Sequence, residues 1–292
     1  MKQYLDLVKK VLKNGISGPD RTGTGTKSIF GEQMRINLKN GFPLLTTKKI
    51  NFRNVAGELI WILRGSTNND ELREITYGKD SNKKTIWEPW THPETGELGA
   101  VYGEQLRRWN RHAGNDVVAV DQLRDLLYNL EHHPYSRRHV VCLWNASDLP
   151  IEKESHVWNI ENGFSVLPPC HVITQFKVQE INDVKHLSCI LFQRSCDTFI
   201  GVPYNIASYA LLTHIIAHRL DMVPHEFIHM FGDLHIYSNH YEQVNEQLNR
   251  IPGKLPRLII RERRDNIWDY EVDDFELIGY NPQKFIKAPV SV

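Results

Sequence analysis

Cysteine is scarce in this chain. The four in 292 residues (Cys142, Cys170, Cys189 and Cys196) argue against a disulfide-stapled scaffold. None forms a CxxC pair, and the histidines show no HExxH or comparable ligand spacing, so no metal is expected. Net charge is absent too, with 35 basic against 35 acidic side chains, which speaks against broad nucleic-acid binding. Arginines can still cluster locally around a small anion. The opening MKQYLDLVKKVLKNG lacks the uninterrupted apolar segment of a signal peptide, and no stretch is long and apolar enough to span a bilayer. A cytoplasmic address and no membrane partner are expected. The run Gly23-Thr24-Gly25-Thr26 is not a phosphate-cradling or dinucleotide loop, because the strand-turn-helix context and the Lys-Ser/Thr ending are missing. No internal repeat and no Pro/Gly/Ser linker divides the chain.

What is present is the composition of a soluble globular protein, 41% hydrophobic and 24% charged, with ample material for a core. Residues 4–12 place Tyr4, Leu5, Val8, Val11 and Leu12 on one helical face, ended by Asn14-Gly15. Residues 28–38 alternate as strand, and 55–63 return to helix with Val55, Leu59, Ile62 and Leu63 on the buried stripe. Segments 66–85 and 110–117 are polar and read as surface insertions. A further helix is expected over 120–130, and strands over 139–144, 171–178, 187–194, 257–260 and 275–280. Asn205 stands where a helix N-cap should be. Helices and strands do not alternate regularly, so the expectation is one α+β domain over 1–292.

Several residues carry chemistry. Glu58 occupies an apolar helical stripe, where desolvation raises a carboxyl pKa and favours proton transfer; a structural carboxylate paired with an arginine is the alternative. Cys170 follows two prolines at the entry to a strand, an edge where a thiol is more exposed than in mid-strand. A nearby cation there makes a thiolate nucleophile; the plainer reading is a small buried hydrophobe. The adjacent His171 is no evidence for a Cys/His dyad, since neighbours on a strand face opposite ways. Asp20-Arg21-Thr22-Gly23, Ser136-Arg137-Arg138 and Gln193-Arg194-Ser195 combine guanidinium and hydroxyl groups suited to phosphate, although the second also reads as a solvated turn. His235 and Tyr237 share a face if extended, and both can bond a sugar hydroxyl. Trp87 and Trp90 offer flat surfaces, or simply core.

The order of these segments is more specific than any one. DRTGTGT, FPLLTTKK, GELIWILRGSTN, IWEPW, GAVYGEQLR, SRRHVV, LPPCH, QRSCDTFIGVPYNIASYALL, GDLHIYSNH and the terminal IKAPVSV together resemble the thymidylate synthase family from residue 1 to residue 292. The resemblance implies a mixed β-sheet packed by helices, two such sheets stacking face to face in a homodimer. It implies reductive methylation of dUMP to dTMP, with 5,10-methylenetetrahydrofolate giving both carbon and hydride and leaving as dihydrofolate. By the same resemblance Cys170 is the nucleophile on C6 of dUMP, and Glu58 is the acid/base centre. Tyr102 and His171 assist proton removal from C5. Arg21, Arg194 and Ser195 hold the phosphate, joined by Arg137 and Arg138 from the other subunit. Gln193, Cys196 and Asp197 lie in the nucleotide-binding segment, and His235 and Tyr237 take the ribose. Asn205 reads uracil, and its amide chemistry fits: one donor and one acceptor match O4 and N3–H, whereas cytosine presents the reverse. The reduced folate falls to Asn51, Ile86, Trp87, Trp90, Asp197, Ile200, Gly201, Tyr204, Ser291 and the tail from Pro289 to Val292.

Five positions depart from the family pattern: Asn51 for a frequent histidine, Tyr204 for phenylalanine, Leu106 for tryptophan, Ala100 for proline and Phe231 for glycine. The closest rival is a pyrimidine hydroxymethylase of the same superfamily, which adds water to the shared methylene intermediate instead of hydride. Trp87, Leu167 and the closing tail speak against water entry; Tyr204 and Leu106 speak for it. A non-catalytic nucleotide- or RNA-binding protein of this fold is the other alternative, and Cys170, Glu58 and Asn205 together count against it.

Overall fold

The computed structural model describes residues 1–113 and 116–291. Part of the 110–117 insertion and Val292 therefore lie outside the described residues. Eight helices are described: α1 (Lys2–Asn14), α2 (Phe52–Leu63), α3 (Asn69–Tyr77), α4 (Tyr102–Arg107), α5 (Gln122–His132), α6 (His156–Glu161), α7 (Gly201–Arg219) and α8 (Tyr241–Leu248). The strands are β1 (Ile16–Gly18), β2 (Thr26–Asn37), β3 (Trp109–Ala113), β4 (Asp116–Val120), β5 (Val140–Cys142), β6 (His171–Ile181), β7 (Val184–Asp197), β8 (Val223–Tyr237), β9 (Arg257–Ile260) and β10 (Phe275–Ile278). Six strands form one mixed sheet in the order β1-β2-β8-β7-β6-β5, with β7 and β8 parallel and every other pair antiparallel. The mixed sheet packed by helices agrees with the sequence expectation.

Helix α7 crosses from β7 to β8, as a parallel pair requires. Val202, Ile206, Ala210, Leu211, Ile215 and Ile216 are all buried along it, so this helix is apolar round most of its girth and sits inside the core. One face of the sheet lies against it. On the other face Met230, Phe192 and Ile173 are register neighbours across β8, β7 and β6, and all three are exposed.

Three sequence expectations change. Segment 66–85 is not a loose insertion: it holds α3, capped by Asn68, whose Oδ1 accepts from the backbone of Asp70 and Glu71 at 2.9 and 3.4 Å. This helix packs against α2, where a Cβ on Gly57 would come within 2.2 Å of Thr76 Oγ1, so only glycine fits there. Polarity misled because α3 buries few apolar side chains, Leu72 chief among them. The described part of 110–117 belongs to the hairpin of β3 and β4. Asn205 is not an N-cap: α7 begins at Gly201, a full turn earlier, and Asn205 projects from within the helix. The unpaired amides ahead of it are met instead by Asp197 Oδ1, which accepts from Phe199 and Ile200 at 2.9 and 3.2 Å.

Candidate active site

The site forms where the ends of β7 and β8 meet the loop that leads into β6. Cys170 is half-buried and precedes a register shift in β6 between His171 and Ile173. Such an irregularity re-aims side chains at a strand end. The Cys170 amide donates to Tyr102 Oη at 3.0 Å, and its carbonyl accepts from the Arg194 amide at 2.8 Å. The Arg194 side chain donates to the carbonyls of Pro169 and Pro168, each at 3.2 Å, and Nη2 stands 3.9 Å from Cys170 Sγ. Trp144 carries this guanidinium 5.4 Å from its ring, a contact the sequence did not announce. Beneath it Gly232 brings β8 close, since a Cβ there would fall 2.7 Å from the Arg194 carbonyl oxygen.

Arg194 does not win the electrostatic contest at the sulfur. Burial pushes the Cys170 thiol above its ordinary range, and Arg194, Ser195 and Tyr102 only offset part of that rise. The sequence expectation of a resting thiolate is corrected accordingly. His171 stacks on Tyr102 with ring centroids 5.1 Å apart, and burial lowers its pKa to about 4, so it is a neutral imidazole near pH 7. Burial also holds the Tyr102 hydroxyl well above its usual value.

Glu58 stands on α2 with Oε1 accepting from Trp87 Nε1 at 2.8 Å. Burial raises its pKa, and the indole bond offsets this in part. The alternative of a structural Glu–Arg pair is not what the structure contains, since the neighbour is an indole.

Beside Cys170 opens a cavity of about 180 Å³. Ile86, Trp87, Trp90, Tyr102, Leu167 and Pro168 line it. Gln105 also lines it, a residue not singled out in the sequence; its Nε2 donates to Ala100 O at 3.1 Å and Asp148 Oδ2 at 2.6 Å. Leu106 and Phe231, two of the departures, are core residues.

A second group gathers around β7 and α7. Gln193 Nε2 donates to Asn205 Oδ1 and to the Ser195 carbonyl, both at 2.9 Å. Gly201 leaves room here, since a Cβ would stand 3.5 Å from Asn205 Oδ1. His235 pairs in register with Asp197, and its ring meets Tyr237 at 5.0 Å, so these two do share a face. Burial raises Tyr237 to about 12, reinforced by the charges of Asp197 and Asp20 and opposed by Arg21. Arg21 is thereby within electrostatic reach of Tyr237. Its loop is tied by Asp20, which accepts from Thr22 N and Oγ1 at 2.9 and 2.6 Å and from Gly25 N at 2.6 Å. Cys196 is fully buried with Sγ donating to Gln193 O at 3.2 Å, so its side chain is packing, and only its backbone is left for a ligand.

The tail closes over this group. Pro289 O meets His240 Nε2 at 2.8 Å, and Ser291 Oγ lies 3.3 Å from Thr24 Oγ1. Lys48 was also missed: it is buried, donates to Phe199 O and lies 3.5 Å over that ring. Desolvation lowers it to about 7, with Asp197 opposing. Nothing in the TTKK run distinguished it from a solvated lysine.

Not every expected residue converges. Asn51 caps α2, its Oδ1 accepting from Arg53 N at 3.1 Å, and Tyr204 is drawn near its backbone. Arg137 and Arg138 are exposed, and Arg137 lines a separate groove of about 430 Å³ with Arg35, Gln175, Ser188 and Glu226. Among the described residues no group of three His, Cys, Asp or Glu is placed to hold a metal ion, and no helix is long and apolar enough to cross a membrane.

The family and the relative that this chain matches place it among the transferases, in the methyltransferase class. The chain belongs to the thymidylate synthase family, whose model matches residues 2–292. It is 46% identical to the thymidylate synthase of Pseudomonas fluorescens (strain SBW25) over 292 residues, covering all of both chains.

Proposed function

We propose that this protein converts dUMP to dTMP with 5,10-methylenetetrahydrofolate as co-substrate, through a covalent adduct on Cys170. The observation that carries the reading is the union of Cys170 with Arg194 on one side and the Gln193–Asn205 amide pair on the other. In this reading the phosphate rests on Arg21, Arg194 and Ser195, the ribose on His235 and Tyr237, and the uracil edge on Asn205. Asn205 Nδ2 donates to O4, and Oδ1 accepts from N3–H with the lone pair Gln193 leaves free.

Cys170 Sγ then adds to C6, and the proton it must lose is the first cost of the reaction, since burial holds the thiol protonated before substrate arrives. Negative charge moves to C5 and O4, where the donors around Asn205 offset it. The flat walls of Trp87 and Trp90, with Ile86 and Leu167, fit a fused heterocycle, and the cavity's apolar lining keeps water from the reacting carbon. When bound there, methylenetetrahydrofolate supplies the one-carbon unit and the hydride. Glu58 exchanges protons in this reading, since its raised pKa keeps it an acid nearer neutrality than an ordinary glutamate. Tyr102 and neutral His171, stacked together, relay the C5 proton. Asp197, Ile200, Gly201, Tyr204 and Ser291 complete the folate side in this reading.

A homodimer is part of the proposal. The exposed Met230, Phe192 and Ile173 form an apolar row across the outer sheet face, and a second copy stacked there removes it from water. Arg137 and Arg138, exposed and absent from the lining of the cavity beside Cys170, would reach the partner's phosphate site. The main core draws on residues from Met1 to Ile286, which supports one domain over 1–292.

The test is to incubate the protein with dUMP and methylenetetrahydrofolate and weigh the nucleotide. A methyl product with dihydrofolate supports the reading. A hydroxymethyl product with tetrahydrofolate selects the hydroxymethylase, and unchanged dUMP rejects both.

A further inference from the structure

His229 lies on β8, is completely buried, and takes no part in the mechanism above. Its Nε2 stands 2.8 Å from Gln193 Oε1. Gln193 in turn donates from Nε2 to Asn205 Oδ1 at 2.9 Å. The three side chains form one chain of hydrogen bonds ending at the amide that faces the base. We infer that His229 is a positioning residue that fixes the polarity of this chain and so makes the site select uracil over cytosine.

The argument is one of donors and acceptors. A glutamine carbonyl only accepts, so Nε2 of His229 carries the hydrogen. Nδ1 is then a bare lone pair. It is buried with no partner among the described residues, which a lone pair tolerates better than an N–H does. Phe231 and Phe227 flank the ring at 4.1 and 5.4 Å, and burial holds it neutral by lowering its pKa well below the usual value. Gln193 therefore meets a donor at its oxygen end and two acceptors, Ser195 O and Asn205 Oδ1, at its nitrogen end. Reversing Asn205 would set its NH₂ against the Gln193 NH₂. Reversing both amides would set Gln193 Oε1 against the Ser195 carbonyl and its NH₂ against the His229 N–H. Switching the histidine tautomer to relieve that last clash would bury an orphan N–H.

Cytosine needs the reversed amide, with a donor for N3 and an acceptor for the exocyclic amine. Binding dCMP therefore carries the cost of reversing the whole chain, part of which His229 sets. This inference rests on the dUMP reading and extends it to a residue that no ligand touches.

The experiment measures equilibrium binding of dUMP and of dCMP to the wild type, His229→Phe and His229→Gln. Phenylalanine keeps the ring among its aromatic neighbours and removes the donor; glutamine restores an N–H near the Nε2 position. The result expected for His229→Phe is a gain in dCMP affinity of about tenfold, the order of one buried hydrogen bond, with dUMP affinity changed less than about threefold. His229→Gln, whose amide can turn either its donor or its acceptor to Gln193, should give a dCMP affinity between those of the wild type and His229→Phe. A general loss of packing would weaken both nucleotides together, and that outcome, or an unchanged dCMP affinity, overturns the inference. Should His229→Phe not fold, nitrogen-15 NMR of the wild-type imidazole decides: hydrogen on Nε2 supports the assignment, and hydrogen on Nδ1 ends it. Absence of dUMP turnover by the wild type would instead remove the functional reading, with the tautomer still measurable by itself.

Discussion

Arg194 holds the carbonyls of Pro168 and Pro169 with the same guanidinium whose Nη2 stands 3.9 Å from Cys170 Sγ. One side chain thus shapes the loop that presents Cys170 and supplies the charge that faces its sulfur. Because burial outweighs that charge, alkylation of Cys170 by iodoacetamide in the nucleotide-free protein should be slow at neutral pH. It should accelerate only as pH climbs past the ordinary thiol range. Peptide mass spectrometry across a pH series reads this directly, and fast labelling already at pH 7 would sink it. Arg194→Lys keeps the charge and loses the planar fork on two carbonyls, so kcat/KM should fall by about 10² or more.

Glu58 has its pKa raised, so the folded protein keeps a proton there to a pH at which the unfolded chain has released it. Its contribution to stability is whole below the ordinary glutamate pKa and is lost as pH rises through the folded value. Glu58→Gln should therefore raise Tm relative to wild type at pH 8 and leave it unchanged at pH 4, while lowering kcat by about 10²–10⁴. Trp87→Phe removes the one hydrogen bond that opposes the rise, so the Glu58 limb of the kcat profile should move to higher pH. Calorimetry at the two pH values and a pH–rate series check both halves; equal Tm differences at pH 4 and pH 8 would refute the first.

Much of this is legible in the sequence, and what is hidden there has physical causes. The strands over 171–178 and 187–194 were readable as strands and form parts of β6 and β7, whose pairing only the structure supplies. β8 was visible only at its Asp233–Tyr237 end, because Pro224, His225, His229 and Gly232 break up its apolar run. The N-cap reading of Asn205 failed because the capping acceptor is Asp197, four residues ahead of Gly201 on the preceding strand's end. Glu58 was readable from the stripe it interrupts. Its partner was not, since Trp87 is 29 residues away. His229 carried no signal at all, its role resting on a contact to another strand.

Acid should destabilise the protein through His171. Its pKa is depressed from 6.5 to about 4, so the stability it contributes is present above 6.5 and is lost as pH falls from there through about 4. The slope from this residue alone is about 1.4 kcal/mol per pH unit within that window. Urea titrations at pH 7, 5.5 and 4.5 should show falling midpoints. His171→Asn, an uncharged hydrogen-bonding replacement, should flatten the trend, and an unaltered slope in that variant would place the acid sensitivity elsewhere.

The tail is held by a buried histidine, His240, whose Nε2 meets Pro289 O at 2.8 Å while Nδ1 lies 3.8 Å from Asp197 Oδ1. His240→Phe fills the same space and removes the bond. Carboxypeptidase should then remove residues beyond Lys287 several-fold faster, and KM for the folate should rise more than KM for dUMP. Equal rates of trimming in the two proteins would count against this anchor.

The outer sheet face gives the last prediction. Met230, Phe192 and Ile173 lie side by side on three strands, 39%, 37% and 40% exposed, so in an isolated chain they form an apolar row facing water. A two-fold axis through such a face meets each residue twice, and Met230→Glu therefore places two carboxylates at one interface. Burying them unpaired costs several kcal/mol, on the order of a 10²–10³-fold weaker dimer. Sedimentation velocity at micromolar concentration should show wild-type dimer and Met230→Glu monomer. Activity should fall with the dimer fraction, because Arg137 and Arg138 then have no partner site to enter. Mixing Cys170→Ala with the Arg137→Ala/Arg138→Ala double variant separates this from simple damage. Each parent is inactive, yet random re-pairing leaves one intact site in half of the dimers, restoring roughly a quarter of wild-type activity. No recovery after mixing, with exchange of subunits verified, would mean that the two arginines do not work across an interface.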